Sequence, residues 1–250
     1  MRGEERVKEM LRIGHITPSS NTVLEPVVAQ LNAAAACGTS HHFTRLPVRT
    51  IAQDAASDAQ FTLDGMVAAA RLLAEAPLDA IAWNGTSGSW LGAEHDRRTV
   101  EAIRAGTGLP ATTATLAILA TLTRHEWTRV ALAVPYTSDV TERIVQAYAR
   151  EGITVVHHAD LGLDDTIAMG ELTHAEIGGL VTRAAHPDAQ CIAVVCTNVG
   201  AAPLVADLER RIDRPIVDSV AVTFLEGCRL AGRVPRFAGW GRVCAENALS

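Results

Sequence analysis

Cys191-Ile192-Ala193-Val194-Val195-Cys196-Thr197-Asn198-Val199-Gly200 is the stretch on which the reading of the fold turns. Ile192 to Val195 is an unbroken apolar run, too short for a helix and rich in β-branched side chains, as a buried strand requires. It stops at a thiol, two small hydrogen-bonding residues and Gly200. In an open α/β sheet, ligands bind beyond the carboxyl ends of the strands, so Cys196 falls where chemistry is expected. A free cysteine is also a common buried structural residue, and this stretch alone leaves both readings open.

The same pattern recurs upstream. Ala80-Ile81-Ala82-Trp83-Asn84-Gly85-Thr86-Ser87 lies over Cys191 to Asn198 without a gap, which sets Gly85 opposite Cys196, Thr86 opposite Thr197 and Ser87 opposite Asn198. Arg12 to Asn21 lies over Arg129 to Ser138, and Leu109 to Thr113 over Arg214 to Asp218, in the same order and at nearly the same spacing. Internal repetition of this kind implies two copies of one structural unit. A cleft between them would be lined by the equivalent strand ends, Pro18, Gly85, Pro135 and Cys196.

Between these anchors, apolar runs alternate with stretches of helical periodicity. The strands expected are Arg12–Thr17, Phe43–Val48, Leu78–Trp83, Pro110–Thr113, Arg129–Val134, Thr154–His158, the Cys196 strand and Pro215–Val217. The helices expected between them include Phe61–Ala76, Thr99–Ala105, Leu116–Leu122, Asp139–Arg150, Ala175–Ala185, Val205–Ile212 and Val220–Leu230, and Ser20, Asn21 or Thr22 would cap the first. Alternation of this kind builds parallel sheets with helices on both faces. The fold class is therefore α/β, as two pseudo-symmetric Rossmann-like halves with the active site between them. The first half is residues 1–115 with 222–250, and the second is residues 116–221. Leu161–Met169 reads as a loop, and residues 232–250 as a tail without an assigned place.

Composition excludes several classes. A net charge of -6 without a basic patch argues against nucleic acid. No apolar run approaches membrane-spanning length. The charged start, Met1 to Lys8, has no apolar core, so no export signal is expected. Five cysteines without a Cys-x-x-Cys pair suggest a reduced, cytoplasmic protein rather than a disulfide or zinc framework. The pairs His41-His42 and His157-His158 would point to opposite faces of their strands, and neither a metal nor an organic cofactor is expected.

Asn84-Gly85-Thr86-Ser87-Gly88-Ser89 is the second informative loop. Small residues let a ligand approach the backbone, successive N–H groups suit an anion, and two hydroxyls can swivel toward a carboxylate. It lacks the endings of a P-loop or a dinucleotide motif; a plain turn is the other reading. Tyr136, after the equivalent strand end of the second half, would add a phenol to such a cage or simply pack there.

Thr17-Pro18-Ser19-Ser20-Asn21-Thr22, Thr86-Ser87-Gly88-Ser89, Pro135-Tyr136-Thr137 and Val195-Cys196-Thr197-Asn198 together resemble the aspartate/glutamate racemase superfamily, over residues 12–243. The nearest branches are the maleate cis–trans isomerases and the arylmalonate decarboxylases. Racemases and isomerases of this superfamily carry a cysteine on each side of the cleft; here the first position is Gly85. The decarboxylases resemble this chain in having a Gly-Thr-Ser loop facing a single cysteine. The loop Pro18 to Asn21, and Thr197-Asn198 after the cysteine, are instead similar to the isomerases.

One thiol cannot serve both faces of a carbon, as cofactor-free racemisation requires. Decarboxylation needs less: one carboxylate clamped by donors where charge develops, the other against apolar walls, and one proton delivered to one face. The resemblance thus implies a cofactor-independent decarboxylase of disubstituted, arylmalonate-type dicarboxylates, with Cys196 as proton donor. Pro18, Asn21, Gly85, Thr86, Ser87, Tyr136, Thr197 and Asn198 would bind the substrate. The alternatives are an isomerase or racemase of small carboxylates, including amino-acid, hydantoin and ectoine-catabolism types, and a carboxylate-binding protein without turnover. The expected partner is a small dicarboxylate, with homo-oligomerisation left open. A cysteine placed at Gly85 is expected to offer a second acid/base group to the opposite face.

Overall fold

The computed structural model describes residues 10–48, 50–51, 58 and 60–246. Its frame is a pair of four-stranded parallel sheets with identical order, β2-β1-β3-β4 and β6-β5-β7-β8. The first comprises β1 (Leu11–Pro18), β2 (Thr39–Leu46), β3 (Ala80–Trp83) and β4 (Ala111–Thr113). The second comprises β5 (Arg129–Ala133), β6 (Thr154–Ala159), β7 (Cys191–Val194) and β8 (Ile216–Asp218). Every residue of β3 and β7 is buried, as expected for central strands covered on both faces.

The repeat extends to strand register. Ile13 pairs with Ala80 in the first sheet, and their sequence equivalents Val130 and Cys191 pair in the second. Ile81 pairs with Ala111, and Ile192 with Ile216. A one-residue slip would turn a strand's whole apolar set to the other face, so matching burial patterns enforce matching registers.

The helices form where apolar spacing and caps agree. In the helix Ser138–Arg150, Val140, Thr141, Ile144, Ala147 and Tyr148 share the buried face. The helix His174–Ala184 opens with a capping box between Thr173 and Glu176. Asn21 caps the first helix, Leu24–Ala35, by accepting from the N–H groups of Val23 (3.0 Å) and Leu24 (2.9 Å). The helix Ala114–Arg124 follows β4 directly, so the halves are joined without a linker. The helix Ser219–Leu230 packs on β1, β3 and β4 of the first sheet.

Several expectations needed correction. β2 begins at Thr39, four residues before the expected Phe43, and ends at Leu46. The expected helix Thr99–Ala105 runs over Ala93–Thr107, since Gly108 ends it in a left-handed conformation. The loop Leu161–Met169 contains the start of a short helix, Thr166–Gly170, capped by Asp165. The tail is anchored by Glu209, whose carboxylate accepts from the N–H groups of Ile216 and Arg242, each at 2.8 Å. It closes with the helix Arg242–Glu246 and buries Phe237, Val243 and Cys244. The charged start, residues 1–8, and the last residues, 247–250, lie outside the described residues. Among the described residues no helix is long and apolar enough to cross a membrane.

Candidate active site

The carboxyl ends of the two sheets converge on one cavity. Pro18, Ser20 and Asn21 reach it from the end of β1, Gly85, Thr86 and Ser87 from β3, Tyr136 from β5, and Cys196, Thr197 and Asn198 from β7. All nine residues singled out as candidate site residues line it. Pro135 does not; its carbonyl accepts from the Leu163 N–H (2.9 Å), and its neighbour Tyr136 turns inward instead. The free space is about 30 Å³, so the walls close tightly. Among the described residues the lining holds no lysine, arginine or histidine.

Cys196 stands two residues beyond the end of β7 and is 4% exposed. Burial pushes its thiol above the ordinary range, and hydrogen bonding with Tyr136 and the N–H groups of Asn198 and Val199 partly offsets this. The group is therefore a neutral acid across the physiological range. Burial, reinforced by the nearby Cys196, likewise raises Tyr136 well above the usual phenol value, so its hydroxyl remains a donor. Thr86 and Tyr136 share a 2.9 Å hydrogen bond, which links the two halves at the cavity wall.

The side chains of Asn21, Thr197 and Asn198 line the cavity and also bond within the protein. Asn21 Nδ2 donates to Thr197 Oγ1 (3.2 Å), and Thr197 Oγ1 donates to the Asn84 carbonyl (2.7 Å). Asn198 Nδ2 donates to the Thr166 carbonyl (2.7 Å), while its Oδ1 accepts from the Thr22 N–H (3.2 Å). These bonds bolt the two halves together beside the cavity. His15 is fully buried, held between His41 (2.8 Å) and the Asn84 side chain, and burial lowers it to about 3, so it is a neutral core residue. Among the described residues no group of three or more His, Cys, Asp or Glu is placed to hold a metal ion.

Sequence reasoning missed the apolar wall: Val48, Ile51, Phe61, Trp83, Trp90 and Met169. The available signal was that Trp83 and Trp90 flank the Gly-Thr-Ser loop in a chain with only four tryptophans. Trp83 also alters the meaning of Gly85. A Cβ at Gly85 would stand 2.2 Å from Trp83 Cζ2, so the position opposite Cys196 is filled by the indole. A cysteine there would collide with the ring rather than project into the cleft, contrary to the expectation above. Gly85→Ala is therefore expected to destabilise the fold by about 1–3 kcal/mol, the usual cost of overpacking. Urea unfolding checks this, and in a Trp83→Leu background the further loss on adding Gly85→Ala should be much smaller.

Asp218 is a buried group behind the site. Its Oδ1 caps the helix Ser219–Leu230, accepting from Val220 (3.0 Å) and Ala221 (2.9 Å), while Oδ2 has no hydrogen-bond partner among the described residues. Burial pushes it from 3.8 up to about 7, against those N–H groups. Between these values the folded state holds a proton that the unfolded chain has lost. The associated stability is full below the lower value and disappears as pH rises through the upper one. Asp218→Asn, which keeps the capping oxygen, should thus gain stability relative to wild type as pH rises from about 4 to about 8. Urea midpoints at the two pH values measure it; an unchanged difference would contradict this assignment.

Two similar parallel α/β halves around a cleft with one buried thiol define the class. Within it, residues 30–244 match the family model for arylmalonate decarboxylase, and the chain belongs to that family. Arylmalonate decarboxylase of Bordetella bronchiseptica is 32% identical over 189 residues, covering 74% of this chain and 79% of that one. Maleate isomerase of Pseudomonas putida is 28% identical over 230 residues, covering 86% and 89%. Among solved structures, unliganded arylmalonate decarboxylase superimposes with a TM-score of 0.76 at 28% identity, covering 94% and 99%. The maleate isomerase Iso from Pseudomonas putida S16 gives 0.87 at 20% identity, covering 96% and 100%, a likeness of fold.

Proposed function

We propose that this chain is a cofactor-independent decarboxylase of disubstituted malonates. The observation that carries the reading is the asymmetry of the cleft: one buried, neutral thiol on one side, and the Trp83 indole filling the equivalent position on the other. In this mechanism one carboxylate lies against Thr86, Ser87, Tyr136 and neighbouring backbone N–H groups. The other stands against Val48, Ile51, Phe61 and Met169, where it loses water. The bond from the α-carbon to this second carboxylate breaks, and its electron pair flows into the clamped carboxylate as an enediolate. Carbon dioxide leaves, so negative charge moves from the apolar wall to the donor wall. Cys196 transfers its proton to the α-carbon, and the thiolate recovers a proton from water. The cavity walls must part to admit any disubstituted malonate, since the free space of about 30 Å³ is water-sized.

A second reading has specific support. The Pro18–Asn21 loop and Thr197-Asn198 resemble the isomerase branch, so isomerisation of a small unsaturated dicarboxylate by the single thiol is the competing proposal. Incubation with 2-ethyl-2-methylmalonate and, separately, with maleate tests the two. Carbon dioxide from the first, with no fumarate from the second, supports decarboxylation. Fumarate without carbon dioxide supports the isomerase, and neither product leaves a carboxylate-binding protein.

A further inference from the structure

Two indoles line the cavity, and their N–H groups are treated differently. Trp83 Nε1 donates to Ser87 Oγ at 3.3 Å, whereas Trp90 Nε1 is buried without a hydrogen-bond partner among the described residues. Trp90 is 4% exposed, so its indole is shielded from bulk solvent. Its ring is fixed edge-on by Tyr136 (centroids 5.4 Å apart, planes at 66°) and by Phe61 (5.8 Å, 75°). It sits in the short helix Gly88–Leu91, immediately after the proposed carboxylate clamp. Buried donors are almost always paired, and an orphaned one is a standing cost that an acceptor relieves.

We propose that Trp90 is a specificity-determining residue whose indole N–H binds an acceptor oxygen on the substrate's substituent. The substrate class becomes malonates whose α-carbon bears an oxygen-containing side chain, such as an ether, rather than a plain alkyl chain. This rests on reading the cleft as a substituted-malonate site. The departing carboxylate is the other acceptor within the apolar wall, but a fixed donor there would stabilise the ground-state charge that must leave and would raise the barrier. An acceptor on the substituent is bound equally before and during reaction, so the donor fixes orientation without opposing charge movement.

The test uses two acids of nearly equal shape, 2-methyl-2-(methoxymethyl)malonate and 2-methyl-2-propylmalonate, with wild type and Trp90→Phe. Calorimetric affinities are measured for each, and carbon dioxide release is followed on the same acids. The ether-over-alkyl affinity ratio is expected to be about fivefold or more higher in wild type than in Trp90→Phe, the size of one buried hydrogen bond. Should Trp90→Phe fail to fold, the indole N–H proton resonances of wild type replace it. One tryptophan should then shift downfield with the ether acid and not with the alkyl acid. Equal ratios, or no selective shift, overturn the assignment even if carbon dioxide is released. A ratio difference without carbon dioxide supports Trp90 while removing the decarboxylase reading. Wild type binding neither acid overturns both.

Discussion

Replacing Cys196 with serine is expected to lower carbon dioxide release from a disubstituted malonate by about 10²- to 10⁴-fold, the range for loss of a positioned acid. A serine hydroxyl is a far weaker acid than even this burial-raised thiol, and it cannot deliver a proton to the enediolate at a useful rate. The fold should tolerate the change, because the serine oxygen remains within reach of Tyr136 and of the N–H groups of Asn198 and Val199 that now face sulfur. Thermal unfolding within a few degrees of wild type would separate lost chemistry from lost structure. In the proposed mechanism Cys196 works in its protonated form, and burial raises its pKa, so wild-type activity should hold through neutral pH and fall only above the ordinary thiol range. A serine variant within about fivefold of wild type would be too close to fit a lost acid and would assign the proton to another group.

Thr86→Val and Tyr136→Phe are each expected to reduce turnover by about 10²- to 10³-fold, the cost of removing one donor aimed at developing negative charge. Both changes keep shape and burial, so stability should move much less than rate. The two hydroxyls share one 2.9 Å hydrogen bond, and each holds the other in place. Their double variant should accordingly lose less than the product of the single losses. If both single variants turn over at the wild-type rate, the Gly-Thr-Ser loop is a structural turn and the clamp must be sought elsewhere.

How much of this was legible depends on the kind of residue. Alignment of Ala80–Ser87 with Cys191–Asn198 carried the register of the central strands, because side-chain alternation and burial fix register locally. The same alignment brought Gly85 and Cys196 to one cavity with Tyr136 beside them. Three features lay beyond it, each settled by contacts distant in sequence or hidden by composition. Gly88 and Ser89 read as the end of the loop Asn84–Ser89, yet they begin a short helix, Gly88–Leu91, over Asp96. A Cβ at Gly88 would meet that carboxyl carbon at 2.3 Å, and Asp96 in turn accepts from the Thr113 hydroxyl at 2.5 Å. That Asn21, Thr197 and Asn198 also bond across the cleft depends on partners distant in sequence, which the sequence does not show. Trp83 looked like ordinary strand core; only the return of the chain two residues later sets its indole against Gly85.

Stereochemistry tests the one-sided cleft most directly. A prochiral disubstituted malonate, decarboxylated by wild type in heavy water, should yield an acid carrying one deuterium at its α-carbon, as a single enantiomer. That acid, returned to the enzyme, should neither racemise nor lose its deuterium. A racemic product, or exchange at the α-carbon on both faces, would mean that a second acid works opposite Cys196, and the single-thiol account would be contradicted.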